Sequence, residues 1–320
     1  MDQPRDDKWA AISCLLGAML CYSAVPVFLR FFLHDREMDP WSVNALRYSV
    51  AALFWLPVVV VLARRAGHAP PGRSIWRDAL VPAAVNLVAQ TTYGLCPAYV
   101  SAPTIGFVIR LSFLFTLLFG FLFIAEEQRL ARKPFFLAGA LLCVAGVTTM
   151  FFQKLVAEGS ASLTGMTILL LSTIGWGGYA VSVRKWMAGY SARLSFGVVS
   201  LYTAAGLTVL MLLFGQPRSV GEASGRVWLL LIVSAFVGIT FSHVMYYRAI
   251  HRLGPIVASG MLMATPFLTC LNAAIFLRES LTWVQFLGGI GVVAGGVLLV
   301  IAQGQVERAT PTPNGASPGK

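Results

Sequence analysis

Acidic residues are scarce in this chain: 13 Asp and Glu in 320 residues, and charged residues of both signs make up only 12%. No carboxylate falls deep within a long apolar run, since Asp78, Glu126, Glu127 and Glu279 all stand at the ends of such runs. That leaves no paired carboxylates for acid–base chemistry and no buried Asp or Glu to relay protons. The four histidines, His34, His68, His243 and His251, are scattered. The five cysteines (Cys14, Cys21, Cys96, Cys143, Cys270) show no CxxC spacing and have no histidine at ligand spacing, so disulfides and a metal site are not expected. Gly-rich phosphate loops and Ser/His/Asp constellations are missing too, and no cofactor is expected. A polytopic membrane enzyme acting on lipid-linked substrates would need a catalytic cluster at the membrane edge, and none is visible. A receptor or scaffold that transports nothing is the other alternative class.

What the chain has instead is apolar length. Hydrophobic residues make up 57% of it. A bilayer core about 30 Å thick takes roughly 20 apolar residues per helix. Ten windows qualify: Trp9–Leu29, Pro40–Leu62, Ala79–Tyr99, Ala102–Ala125, Pro134–Gln153, Leu163–Val183, Leu194–Gly215, Val227–Tyr247, Gly254–Leu277 and Leu281–Gln303. A soluble domain keeps too much wet surface to bury this much apolar area. The fold class expected is all-α and integral to the membrane. The first run is longer than a signal h-region and follows acidic as well as basic residues, so it reads as a retained helix.

The net charge of +11 reads as membrane topology rather than as affinity for nucleic acid. Of the 24 Lys and Arg, 16 fall on the side that holds the N-terminus and 6 on the other. Because cytoplasmic loops collect Lys and Arg, both termini are expected in the cytoplasm, with the chain in a bacterial inner membrane. The Pro-, Thr-, Gly- and Ser-rich tail Gly304–Lys320 is expected to be disordered.

The two halves resemble each other. Leu137–Val147 (LAGALLCVAGV) matches Leu287–Val297 (LGGIGVVAGGV). Tyr22 and Arg30 in helix 1 match Trp176 and Arg184 in helix 6, at the same spacing. Phe123–Glu127 and Phe276–Glu279 both close an apolar helix with glutamate, and Pro103 and Pro255 both open those helices. The common order and offset predict a five-helix unit used twice, at 9–153 and 163–303, joined by 154–162. An odd number of helices turns the second copy upside down, a plan recurrent among secondary transporters.

With these features the chain resembles the drug/metabolite transporter superfamily, EamA branch. The resemblance is carried by the two five-helix units and by Gly175–Ala180 (GWGGYA). It also rests on Tyr246–Pro255 (YYRAIHRLGP), on Ala264, Thr265 and Pro266, and on Glu279. It implies a ten-helix carrier of a small metabolite, often an amino acid or a related compound, often moved outward. A drug or organic-cation exporter of the same fold is the alternative. One departure is the lack of a proline in Leu111–Phe115, where the counterpart of Pro266 would stand; Arg110 lies beside that stretch.

Within the apolar runs only Arg47, Arg110 and His243 can ionise as cations, and an intramembrane ionisable group is a functional candidate by default. At about 1.5 Å rise per residue, Arg47 lies roughly 10 Å and Arg110 roughly 12 Å from the same face. Their guanidinium forks suit a carboxylate or phosphate; the alternative roles are snorkelling and a bond to kinked backbone. Asn86, Gln90 and Tyr93 share one face of helix 3, Trp176 and Tyr179 one of helix 6, and Thr240, His243 and Tyr247 one of helix 8. Thr265, Thr269 and Asn272 do so on helix 9. The substrate-binding candidates are Arg110, Arg47, Tyr22, Gln90, Trp176, Tyr179, Thr265, His243 and Asn86. Gly139 and Gly146, and Gly289 and Gly296, mark faces of helices 5 and 10 for close packing, with a homodimer as their alternative use. The expected partners are a small molecule and the lipid bilayer.

Overall fold

The computed structural model describes residues 3–35, 38–64, 72–100, 102–158, 162–276 and 282–309. Glu279, His68 and the tail from residue 310 onward lie outside the described residues, as do the side chains of Arg30 and Lys154. Among the described residues, ten helices are long and apolar enough to cross a membrane: α1 (Asp7–Val25), α2 (Pro40–Arg64), α3 (Ile75–Ala98), α4 (Thr104–Phe123), α5 (Pro134–Phe152), α6 (Leu163–Trp186), α7 (Ala192–Phe214), α8 (Gly225–Leu253), α9 (Pro255–Asn272) and α10 (Trp283–Arg308). The protein is an all-α integral membrane protein. Large apolar side chains such as Leu53, Leu141, Leu212 and Phe214 point outward from the bundle. That suits lipid, where only satisfied backbone can span.

Local sequence explains where helices begin. Ser162, Ser191 and Ser224 each accept a hydrogen bond from the amide three residues on, at 3.1, 3.3 and 3.4 Å, which caps α6, α7 and α8. Between α8 and α9, Gly254 takes φ +82°, a conformation easy only for glycine, and Pro255 starts the next helix.

Residues near the two ends of the described chain meet at one end of the bundle. Lys8 and Arg252 pair with Glu307 at 3.2 and 2.9 Å, and Asp7 pairs with Arg248 at 3.4 Å. These bonds correct the expectation of a tail disordered from Gly304. The helix continues to Ala309, because Glu307 ties its last turn to α1 and α8.

The helix pairings have a regular form. α2 packs on α7, α5 on α10, and α4 on α9. The contacts of α1 with α8 and α9 are matched by those of α6 with α3 and α4. Exchanging each helix with the one five places on leaves this pattern unchanged.

Glycines let α5 and α10 touch. A Cβ on Gly146 would stand 2.6 Å from the Gly288 carbonyl oxygen, and one on Gly295 would stand 2.7 Å from that of Gly139. This corrects the register read from the sequence. The glycines of α10 that face α5 are Gly288, Gly291 and Gly295, whereas Gly289 packs on Phe267 and Gly296 near Met261. The face offered to a second copy is therefore used inside the chain.

Candidate substrate-binding site

The site is a cavity of about 200 Å³ between the helices. It runs from Met38, Pro40 and Pro97, near the end of the bundle away from the termini, down to His243, Tyr246 and Ser259. Arg47, Arg110, Tyr22, Gln90, Trp176 and His243 all line it, so six of the nine sequence candidates meet in one place.

Its walls are shaped by three defects in the helices. α4 tightens into a 3₁₀ turn at Ile109–Leu111, which carries Arg110. α8 widens into a π turn at Phe236–Phe241. α9 breaks at Met263 and Ala264, just before Pro266. Proline has no N–H to donate four residues back, and the carbonyl it leaves free is that of Leu262. Arg110 Nη1 donates to this oxygen at 3.3 Å, and Thr265 Oγ1 donates to it at 2.7 Å. A π turn likewise interrupts the i→i−4 ladder. Just before it, the Ser234 carbonyl accepts from Arg47 Nη2 at 3.4 Å. Gly238 makes room: a Cβ there would stand 2.8 Å from Arg47 Nη2.

Each arginine is thus tethered to a backbone carbonyl while remaining part of the cavity wall. The Nε atoms of Arg47 and Arg110 are buried without a hydrogen-bond partner. Tyr93 lies within electrostatic reach of both guanidinium groups. Among the described residues, 22 line the cavity and none of them is Asp or Glu. A buried cation without a counter-ion is costly unless something neutralises it.

Below the cavity, toward the termini, aromatic side chains fill the bundle. Tyr179 and Tyr247 share a 2.7 Å hydrogen bond, and Phe196 stacks on His243 at 5.0 Å. Tyr246 bonds Ser259 at 2.8 Å. Tyr48 accepts from Gln90 Nε2 at 2.7 Å and from Asn86 Nδ2 at 3.1 Å, and Asn86 also donates to Thr203.

Three sequence candidates stand elsewhere. Tyr179 sits in the aromatic floor, Asn86 holds Tyr48 from behind, and Thr265 is spent on the Leu262 carbonyl. Helical spacing gave their faces correctly, but these three side chains bond other protein groups while residues beside them on the same helices reach the opening. The sequence candidates omit Tyr93, Asn44, Tyr246, Ser112 and Ser259, all of which line the cavity. A signal existed for three: Tyr93 extends the Gln90 stripe, Asn44 precedes Arg47 by three residues, and Tyr246 follows His243 by three.

At the terminus end, Glu127 lies in the short helix Ala125–Gln128 and is 4% exposed. Its Oε2 has no hydrogen-bond partner. Its carboxylate packs against Gly254, where any side chain would collide with it. Burial pushes the Glu127 carboxyl up to about 8; Arg184 opposes the shift and Glu126 adds to it. Arg184 itself donates to the His251 carbonyl.

The family model described as the EamA-like transporter family matches residues 9–152 and again 163–301. A protein of Clostridium kluyveri named "Uncharacterized transporter" is 21% identical over 294 residues, covering 91% of this chain and 93% of its own. The Bacillus subtilis "Uncharacterized transporter YcxC" is 23% identical over 278 residues, covering 85% and 86%. A solved structure titled "Crystal structure of protein" superposes with a TM-score of 0.74 at 16% identity, covering 95% of this chain and 100% of that one. That last likeness bears on the fold alone.

Proposed function

The chain belongs to the EamA-like transporter family, and from that premise we propose that it is a secondary carrier for a small metabolite bearing a carboxylate, an amino acid or a related organic acid. Its family and the names of its relatives make it a transporter rather than an enzyme. The observation that carries the finer reading is the pair of guanidinium groups, each with a buried, unpartnered Nε, on one cavity with no acidic residue among its described lining. Arg110, with Arg47, holds the carboxylate. Tyr22, Gln90, Trp176 and His243 shape the remainder of the site.

Transport proceeds by alternating access between two five-helix repeats of opposite orientation. Two facts support this: the pairing pattern survives exchange of the halves, and the cavity ends on an aromatic floor toward the termini. The termini lie in the cytoplasm of a bacterial cell, so this conformation faces outward. The export direction is carried over from the family resemblance. An organic-cation exporter would use the same aromatic walls, but the two arginines oppose a positive cargo.

Reconstituted vesicles test the reading. Uptake of a carboxylate should fall at least tenfold in Arg110→Gln, which removes the charge but keeps most of the length, because an ion pair lost from a water-poor site costs several kcal/mol. Unchanged uptake by a normally inserted variant, or cargo that proves cationic, would sink the anion site.

A further inference from the structure

We infer that Glu127 is the latch of a cytoplasmic gate: protonated, it holds the carrier closed toward the cytoplasm, and the gate opens as that proton passes to cytoplasmic water. The inference rests on the alternating-access reading and adds a pH control to it.

Below the cavity, α4 and α9 close on each other in a seam. Thr116 Oγ1 meets Ser259 Oγ at 3.5 Å, and a Cβ on Gly120 would stand 2.9 Å from Ile256 Cδ1. The seam ends where Glu127 packs on Gly254, the bend that joins α8 to α9. Beyond the cavity the two helices turn to other partners. Gly106 of α4 packs on Phe151 of α5, while Thr269 and Asn272 of α9 bond Ser23 of α1 at 3.3 and 2.8 Å. Exchange of two inverted halves puts α4 in the place of α9 and turns the pair end for end. In the inward-facing state that alternating access requires, the seam therefore lies at the outer end, and the contact of Glu127 with Gly254 is broken.

The surroundings of Glu127 make that break a protonation event. Ile124 is extended, at φ −130° and ψ 105°, so the chain turns after α4 and brings a carboxyl from the edge of an apolar run among buried groups. Its Oε2 is buried with no hydrogen-bond partner. Arg184 of α6 is the cation that acts on it, but this guanidinium donates to the His251 carbonyl. Glu126, on the same short helix, adds repulsion. α4 over Ser112–Phe123 and α9 over Pro255–Leu262 bring no titratable side chain to the seam. His251 of α8 lies within electrostatic reach of Arg184, and Arg129 and Arg132 on the turn that follows Glu127 are exposed. A buried carboxyl so placed favours its neutral form, and burial lifts it to about 8. Once the seam parts and water enters, the group returns to the range of an ordinary glutamate. The closed state thus holds a proton that the open state releases. Acid keeps the gate shut, and rising pH favours opening.

Hydrogen–deuterium exchange of the full chain in lipid nanodiscs reads the gate without a cargo, once rates are corrected for the intrinsic pH dependence of exchange. From pH 5.5 to pH 8.5, amides 256–262 should exchange at least about tenfold faster. The 3₁₀ turn Cys96–Ala98, at the outer mouth, should slow as that end closes. Amides in the α5–α10 contact should keep their rates. Glu127→Gln, which cannot ionise, should hold the seam rates flat. Seam rates in the unaltered protein that ignore pH, or a Glu127→Gln variant that follows the same pH course, would overturn the latch and leave alternating access standing. Acceleration of every segment together would mark general loosening and likewise overturn the latch. A seam that accelerates while the outer mouth does not slow would overturn both readings.

Discussion

Arg110 donates to the carbonyl of Leu262, the residue four before Pro266. The proline in α9 thus creates the acceptor that positions a cation on α4. This relation ties the two central helices together across the cavity, and it makes a separable prediction. In Pro266→Ala an amide returns that can claim the Leu262 oxygen. Pro266 stands in the first turn of the segment Thr265–Phe276, where proline is well tolerated, so the melting temperature should change little. Arg110 should lose its fixed position, and carboxylate affinity should fall several-fold. A variant that folds and binds as before would show that the tether does not position the guanidinium.

Glu127 makes stability depend on pH. Its folded-state value of about 8 stands above the 4.5 of an ordinary glutamate. The neutral form is favoured by the fold, so the contribution is fully present below pH 4.5 and is lost as pH rises through about 8. At about 1.4 kcal/mol per unit, the loss reaches at most about 5 kcal/mol. The melting temperature of purified protein should drop between pH 5 and pH 8.5. Glu127→Gln, neutral throughout, should flatten that drop. Parallel pH curves for the two proteins would place the titration elsewhere.

The α5–α10 contact distinguishes two neighbouring glycines. A side chain at Gly288 meets the Gly146 carbonyl oxygen at 2.6 Å and the Met150 amide nitrogen at 3.0 Å, backbone atoms that cannot swing aside. Gly288→Val should destabilise by about 1–3 kcal/mol through overpacking. At Gly291 the nearest contacts lie at 3.7 and 3.9 Å, so Gly291→Ala should be tolerated. Thermal unfolding of both variants reads the difference, and equal melting temperatures would contradict this packing.

Orientation in the membrane follows from the 16-to-6 division of Lys and Arg. Reporter fusions should place the C-terminal tail in the cytoplasm and the connection at 154–162 on the opposite side. A tail outside the cytoplasm would reverse the proposed outward-facing state, and both fusions on one side would contradict the five helices between them.

The sequence by itself determined the number of helices, their membrane character and the two matching halves, because bilayer thickness fixes helix length and lipid forbids charge. It also picked out Arg47 and Arg110, since a cation inside an apolar run stands out without any structure. It could not show what those cations touch. The 3₁₀ turn at Ile109–Leu111 has no proline to announce it, and the π turn at Phe236–Phe241 leaves no mark in hydropathy. Helical periodicity assigned Asn86, Gln90, Thr265 and Tyr179 to polar faces alike. Only the packing of ten helices separated Gln90, which reaches the cavity, from Asn86, one turn earlier, which bonds Tyr48 and Thr203. The physical reason is that a helix face is a local property, while a cavity is space left among many helices, set by which glycines let two of them touch and which broken turns hold two apart.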